Sequence, residues 1–181
     1  MGMTLAELPG QPLTEDDLGD VGRLLADTGW RYELDNGRLL LMAPMKSWHA
    51  DVSRRICNLL ISQGRPSYQE QGVRLSHRKV RYPDVSAFWE RPDPDAERHD
   101  PSDLAIVVEV VSTDSVEDDR VVKPRLYAGV GIPEYWIADR CPDARDDALI
   151  EYFKLGQDGR YERTGGAVLS VLEAKGFSRD S

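Results

Sequence analysis

Leu104-Ala105-Ile106-Val107-Val108-Glu109-Val110-Val111 is an apolar run interrupted by a single acid. Such a run predicts a central β-strand covered on both faces. A carboxylate there loses its hydration, at a cost of several kcal/mol unless it is paired. Glu109 therefore needs a cation: a metal ion, a lysine or an arginine. A second acid, Asp84, follows Pro83 in the strand-like run Val80 to Trp89. Aspartate is disfavoured in strands, so its presence wants a reason. Alternation along that run sets Tyr82, Asp84 and Ser86 on one face and Val85, Ala87 and Trp89 on the other. Between 84 and 109 one strand can end, a loop cross and a neighbouring strand begin, so the two carboxylates can converge. Adjacent anions repel, so one must take up a proton or a cation must sit between them. With oxygen donors alone the natural cation is Mg²⁺ or Mn²⁺, completed by waters and a backbone carbonyl. Lys123 is the third piece. Asp119 stands four residues before it and Tyr127 four after, the spacing of neighbours on a helix face. A helix that folds back after the Glu109 strand brings this ammonium to the carboxylates.

Each residue also has a plainer reading. Asp84 can be a turn residue, since Pro-Asp recurs at Pro92-Asp93, Pro94-Asp95 and Pro142-Asp143. Glu109 can belong to a structural ion pair, and Lys123 can be a solvated helix charge. His49 can be a satisfied, partly buried histidine, and Glu33 an exposed hairpin residue or one that reaches the site from another sheet.

The elements that must position these residues follow from local signals. Thr14-Glu15-Asp16-Asp17 resembles a capping box and opens a short helix to about Ala26. Arg31 to Met42 predicts a hairpin around Asp35-Asn36-Gly37, because Asn-Gly suits the tight turn that matches strand twist. Ser47 is a candidate cap for a helix to about Ser62 that stops at Gly64. Its apolar face is Val52, Ile56, Leu59 and Leu60, and His49 shares it. Strands are expected from Ser67 to Leu75 and from Lys79 to Trp89, then an exposed loop over 90–103. After the Glu109 strand, Asp114 to Gly129 predicts a helix whose regular part begins late, near Asp119 to Val122, or that kinks there, because Pro124 is tolerated only in a first turn. Glu134 to Asp139 predicts a strand, Ala148 to Leu155 and Arg160 to Thr164 a hairpin, and Val168 to Val171 a last short strand. Residues 178–181 are expected to fray. The order predicts an α/β or α+β domain with a mixed β-sheet flanked by helices. One domain over 14–175 is expected, between tails at 1–13 and 176–181.

Composition narrows the function classes. With 40% hydrophobic and 30% charged residues the chain has an ordinary soluble balance. No apolar run is long enough to span a membrane, and residues 1–7 lack the basic flank and apolar core of a secretory signal, so a cytoplasmic location is expected. Cys57 and Cys141 make no disulfide framework, and His49, His77 and His99 lack a zinc spacing. The net charge of −9 argues at first against nucleic acid. The whole excess lies in residues 90–119, where eleven acids meet two arginines; elsewhere basic and acidic residues balance. The stretch Arg74, His77, Arg78, Lys79 and Arg81 offers a local basic patch that can meet a phosphate backbone, or else a solvated strand edge.

Taken together, the pieces resemble the PD-(D/E)XK nuclease superfamily and, more narrowly, the Uma-two family of restriction-endonuclease-like proteins. The resemblance rests on Tyr32-Glu33-Leu34-Asp35-Asn36-Gly37, His49, Tyr82-Pro83-Asp84-Val85-Ser86, Val107-Val108-Glu109-Val110-Val111-Ser112-Thr113, Lys123 with Tyr127-Ala128, and Gly131-Ile132-Pro133-Glu134-Tyr135-Trp136-Ile137-Ala138-Asp139. It covers roughly residues 14–165. It implies a restriction-endonuclease-like fold and a Mg²⁺- or Mn²⁺-dependent endonuclease. The implied metal ligands are Asp84, Glu109 and the Val110 carbonyl, and the implied catalytic lysine is Lys123. The superfamily lysine belongs at position 111, where this chain has Val111; its role passes to Lys123 on the following helix. Glu33, His49 and Tyr127 are candidate supporting residues, and Arg74, Arg78, Lys79 and Arg81 candidate nucleic-acid contacts. DNA is the expected partner, with a homodimer suited to cutting both strands. The alternative is a catalytically inactive nuclease fold that binds or regulates.

Overall fold

The hairpin expected around Asn36-Gly37 forms as read. Strand β2 (Arg31–Asp35) pairs antiparallel with β3 (Arg38–Met42), with Asp35 opposite Arg38. Asn36 and Gly37 take φ of 50° and 81°, which Asn and Gly adopt at little cost. The computed structural model describes residues 4–6, 12–112 and 115–175. Thr113, the first residue of the helix expected from Asp114, and residues 178–181 lie outside them.

Twelve strands in the described residues make two six-stranded sheets. In the first, β1 (Thr4–Ala6, from the stretch expected to be a tail) pairs with β3, followed by β2, β6 (Lys79–Arg81), β5 (Gly72–Ser76) and β8 (Arg98–His99). In the second the order is β12 (Tyr161–Val168), β11 (Ala148–Leu155), β10 (Glu134–Arg140), β9 (Leu104–Val110), β7 (Val85–Phe88) and β4 (Ser67–Gln69). Both sheets are mixed: β9 runs parallel to β10 but antiparallel to β7, and β5 runs parallel to β8 but antiparallel to β6.

The two expected strands, Ser67 to Leu75 and Lys79 to Trp89, are each broken in two. Their outer halves, β4 and β7, pair in the second sheet, and their inner halves, β5 and β6, pair in the first. One long hairpin thus passes from sheet to sheet and opens at a fork, residues 70–71 on one arm and 82–84 on the other. Gly72 marks the crossing, because a Cβ there would stand 2.8 Å from Arg98 Cγ and 2.9 Å from the Glu97 carbonyl. Asp84 therefore lies in the fork, just before β7, and not in the middle of a strand.

Helix α2 (Ser47–Ser62) spans the expected residues, with Lys46 rather than Ser47 as its cap, and Gly64 follows it at φ 77°. Its apolar face, Val52, Ile56, Leu59 and Leu60, packs on Val85, Ala87, Ile106, Val108 and Val110. Each fully buried aliphatic side chain of this kind stabilises by about 1.5–3 kcal/mol. The other face of β9 presents Val107 and Val111 to Tyr127, Ile132, Tyr135 and Ile137. Glu109 falls on that second face by alternation. Helix α1 (Leu18–Leu25) covers the first sheet through Leu18 and Val21 against Leu34, Leu39 and Val80. It follows a short 3-10 turn in which Asp17 accepts the Thr14 backbone N–H at 2.7 Å. The strand expected over Val168 to Val171 is absent: β12 ends at Val168 and helix α4 (Leu169–Lys175) begins. Asp147 supports that start, its carboxylate accepting the Ser170 backbone N–H and hydroxyl.

Candidate active site

Glu109 owes its position to β9 and its partners to the helix that follows. Residues 118–122 wind as a π-turn and lead into α3 (Lys123–Gly129). In an α-helix the Pro124 ring would strike the carbonyl four residues back; the wider turn removes that conflict and leaves proline in the first turn of α3. Pro124 therefore does not misdirect Lys123. The lysine donates to Glu109 Oε2 at 2.8 Å and lies 2.9 Å from Asp119 Oδ1. Tyr127, one turn on, donates its hydroxyl to Glu109 Oε1 at 2.8 Å. Asp119 accepts the Ser115 hydroxyl, and its backbone carbonyl accepts the Tyr135 hydroxyl at 2.6 Å.

Asp84 is placed by the fork. Extending the β7–β9 register beyond Val85 opposite Val108 sets Asp84 opposite Glu109 and Pro83 opposite Val110. The ladder stops there, and the Asp84 carboxylate takes over: its Oδ2 accepts the Val110 N–H at 2.7 Å. His49 Nε2, from the first turn of α2, lies 3.2 Å from the same oxygen, and Arg31 Nη1 lies 3.3 Å from Oδ1. Glu33 enters from β2 of the other sheet. It lies 3.4 Å from Arg81 Nη1 and accepts the Tyr82 N–H at 3.4 Å.

Four carboxylates, of Glu33, Asp84, Glu109 and Asp119, are thus buried around two buried cations, Lys123 and Arg81. Burial pushes the Glu109 carboxyl up; Lys123 opposes this, but Asp84, Asp119 and Glu33 add to it, and the net is well above the usual carboxylate range. Burial also raises Glu33 and Asp119 against the pull of Lys123. Asp84 goes the other way. Its burial penalty is outweighed by His49, Lys123 and the Val110 N–H, and its carboxyl stays below the ordinary value. Lys123 keeps its proton, because the four acids outweigh its own burial. The site as folded carries more carboxylate than buried cation, and that excess holds Glu33, Glu109 and Asp119 above the ordinary carboxylate range.

The donor set fits a hard divalent cation in part. Among the described residues no three His, Cys, Asp or Glu side chains group as a cage made of protein alone. Mg²⁺ does not require one, since one or two carboxylates with waters and substrate oxygens suffice. Asp84 and Glu109, opposite one another amid unbalanced negative charge, meet that lesser demand.

The structure brings Asp84, Glu109, Lys123, Tyr127, Glu33 and His49 together, with Val110 engaged through its backbone. The four basic residues expected to meet nucleic acid are not gathered as a free patch. Arg81 is buried against Glu33 and Asp35, Lys79 pairs with Asp35, and Arg74 pairs with Glu15 and Asp100; Arg78 is exposed. Two residues of the cluster lacked a sequence signal strong enough to find them. Asp119 showed only its helical spacing from Lys123, and Arg31 only its place beside Glu33.

A family profile described as "Putative restriction endonuclease", Uma2, matches residues 19–178. The chain belongs to the Uma2 family. Among solved structures it is similar to a protein from Anabaena variabilis described as "a putative nuclease belonging to DUF820", at 16% identity over 87% of this chain and 84% of that one, with a TM-score of 0.59. That likeness shows the fold, a mixed α+β architecture of the restriction-endonuclease kind. No curated protein matches the chain. No helix among the described residues is long and apolar enough to cross a membrane.

Proposed function

We propose that this Uma2 protein is a metal-dependent endonuclease that hydrolyses phosphodiester bonds in nucleic acid, with DNA as its substrate. The observation that carries this reading is the convergence of Asp84, Glu109 and Lys123, from a fork, a strand and a helix, on one buried cluster with an excess of carboxylate. Asp84, Glu109 and the Val110 carbonyl would hold Mg²⁺ or Mn²⁺, which supplies a polarised phosphate and an acidified water. Lys123, moved to α3 from the strand position that Val111 occupies, directs its ammonium at the phosphate or at the attacking water and offsets the charge that develops there. Asp119 holds that ammonium in line, and Tyr127 holds the Glu109 carboxylate with which it pairs. His49, 3.2 Å from Asp84 Oδ2, favours the ionised form of Asp84 and would meet a phosphate oxygen of the substrate. The fold is proposed to work in the cytoplasm, and cutting both strands of a duplex calls for two copies of the chain.

A second reading has its own observation: both Glu109 oxygens already carry protein donors, Lys123 and Tyr127. A fold that kept this cluster without loading a metal would bind or regulate rather than cut. Thermal unfolding with added Mg²⁺ or Mn²⁺, run beside a nuclease assay on single- and double-stranded substrates, separates the two. The nuclease reading expects a divalent-dependent rise in midpoint that Asp84→Ala abolishes, together with cleavage that Lys123→Ala abolishes. No divalent effect on either readout defeats it.

A further inference from the structure

Glu70 has a left-handed backbone, φ 53°, in the arm of the fork opposite Asp84. A non-glycine residue adopts this region only where surrounding structure demands it. Two contacts hold it, and a third links its partner Arg31 to Asp84. The Glu70 backbone N–H donates to the Asp84 carbonyl at 3.4 Å, Glu70 Oε1 lies 3.4 Å from Arg31 Nη1, and the same Nη1 lies 3.3 Å from Asp84 Oδ1.

Arg31 differs from the other cations of the site. The Lys123 and Arg81 side chains are buried and committed to carboxylates. The Arg31 side chain is 27% exposed, so it reaches solvent in part. Both of its carboxylate contacts are long and use one nitrogen, and its Nε is buried without a hydrogen-bond partner among the described residues. Beside it, His49 Nδ1 is likewise buried and unpartnered. A guanidinium with spare donors in a fork geometry matches the paired oxygens of a phosphodiester better than it matches the single oxygens it now meets. A polyanion approaching a cluster with excess carboxylate also needs a cation at its rim.

We infer that Arg31 is a phosphate-binding residue of this site, and that Glu70 is the carboxylate that holds it in place until a nucleic-acid phosphate displaces it. This deepens the nuclease reading and rests on it. The strained backbone then has a use: it fixes the Glu70 carboxylate where Arg31 can leave it without crossing the site. Loss of Arg31 weakens binding, and loss of the Glu70 charge strengthens it.

The test is binding of fluorescently labelled single- and double-stranded oligonucleotides by anisotropy, in Ca²⁺, across a salt series. Arg31→Ala and Arg31→Gln are expected to lower affinity about tenfold at low salt and to reduce the slope of log affinity against log salt by about one. Glu70→Gln is expected to raise affinity about threefold, an outcome that misfolding does not produce. Wild-type binding that Arg31→Ala leaves unchanged, in affinity and in slope, overturns this inference and spares the nuclease reading. Lower affinity in Glu70→Gln, with its thermal midpoint kept, also overturns it. Failure of the wild-type protein to bind any of the oligonucleotides overturns both.

Discussion

Asp84 and Glu109 face each other across one strand pair, yet their surroundings do opposite things. Asp84 sits in a fork where the backbone ladder has stopped. A peptide N–H, a histidine and an arginine are free to turn toward it, and its carboxyl is held ionised. Glu109 sits one strand over, still laddered to β10 on its other side, and must draw its donors from a helix docked above it. That helix supplies Lys123 and Tyr127 but brings Asp119 with them, so Glu109 gains a cation and another anion together. The lesson is about charge supply. An acid at a break in a sheet can be served by backbone dipoles, whereas an acid inside a sheet depends on side chains and stays hungry for a proton or a metal ion.

The sharpest way to break this contrast is Lys123→Ala. It strips Glu109 of its buried cation and is expected to destabilise the fold by about 3–5 kcal/mol, read by denaturant unfolding. If the loss is negligible, the ammonium is not what compensates Glu109. The pH dependence comes next. Asp84, with its carboxyl lowered, contributes stability that is present above the ordinary aspartate value and lost as pH falls through its depressed one. Glu109, with its carboxyl raised, contributes stability that is present below the ordinary glutamate value and lost as pH rises through the raised one. The protein without divalent ion should therefore lose thermal midpoint over the range of pH above the ordinary glutamate value, and Glu109→Gln should flatten that decline. Because a divalent ion takes the proton's place, the midpoint rise with Mg²⁺ or Mn²⁺ should be larger at the upper end of that range. The smallest effect is expected from His49→Ala. Asp84 keeps its Val110 N–H and Arg31, so the loss is about 1 kcal/mol, with acid sensitivity shifted toward higher pH in unfolding monitored by tryptophan fluorescence.

Much of the fold was legible because its signals are local. Asn36-Gly37 specifies a tight turn through backbone conformations that few residues accept. Helix α2 is marked by its apolar face and by Gly64, and the apolar run around Glu109 marks a strand covered on both faces. Pro124 announced a late helix start, although not the π-turn that precedes it. The two broken strands were not legible. Gln69 to Gly72 and Tyr82 to Asp84 carry strand-compatible residues, and whether a chain stays in one sheet depends on which neighbour its next segment pairs with. The same reason hid Arg31, Glu70 and Asp119, whose significance comes from residues distant in sequence.

What the sequence determined by itself is which groups had to be reconciled. An acid within an apolar run cannot be buried alone, and an acid after a proline needs a partner, so Glu109, Asp84 and Lys123 could be named from residue type and spacing. The tertiary structure decided who compensates whom. The fork gave Asp84 a peptide N–H, the docking of α3 and the turn before it gave Glu109 its lysine and tyrosine and added Asp119, and the meeting of two sheets added Glu33 and Arg81. Electrostatic compensation acts through space and depends on distance and burial, and both are set by strand register and helix docking rather than by the order of residues along the chain.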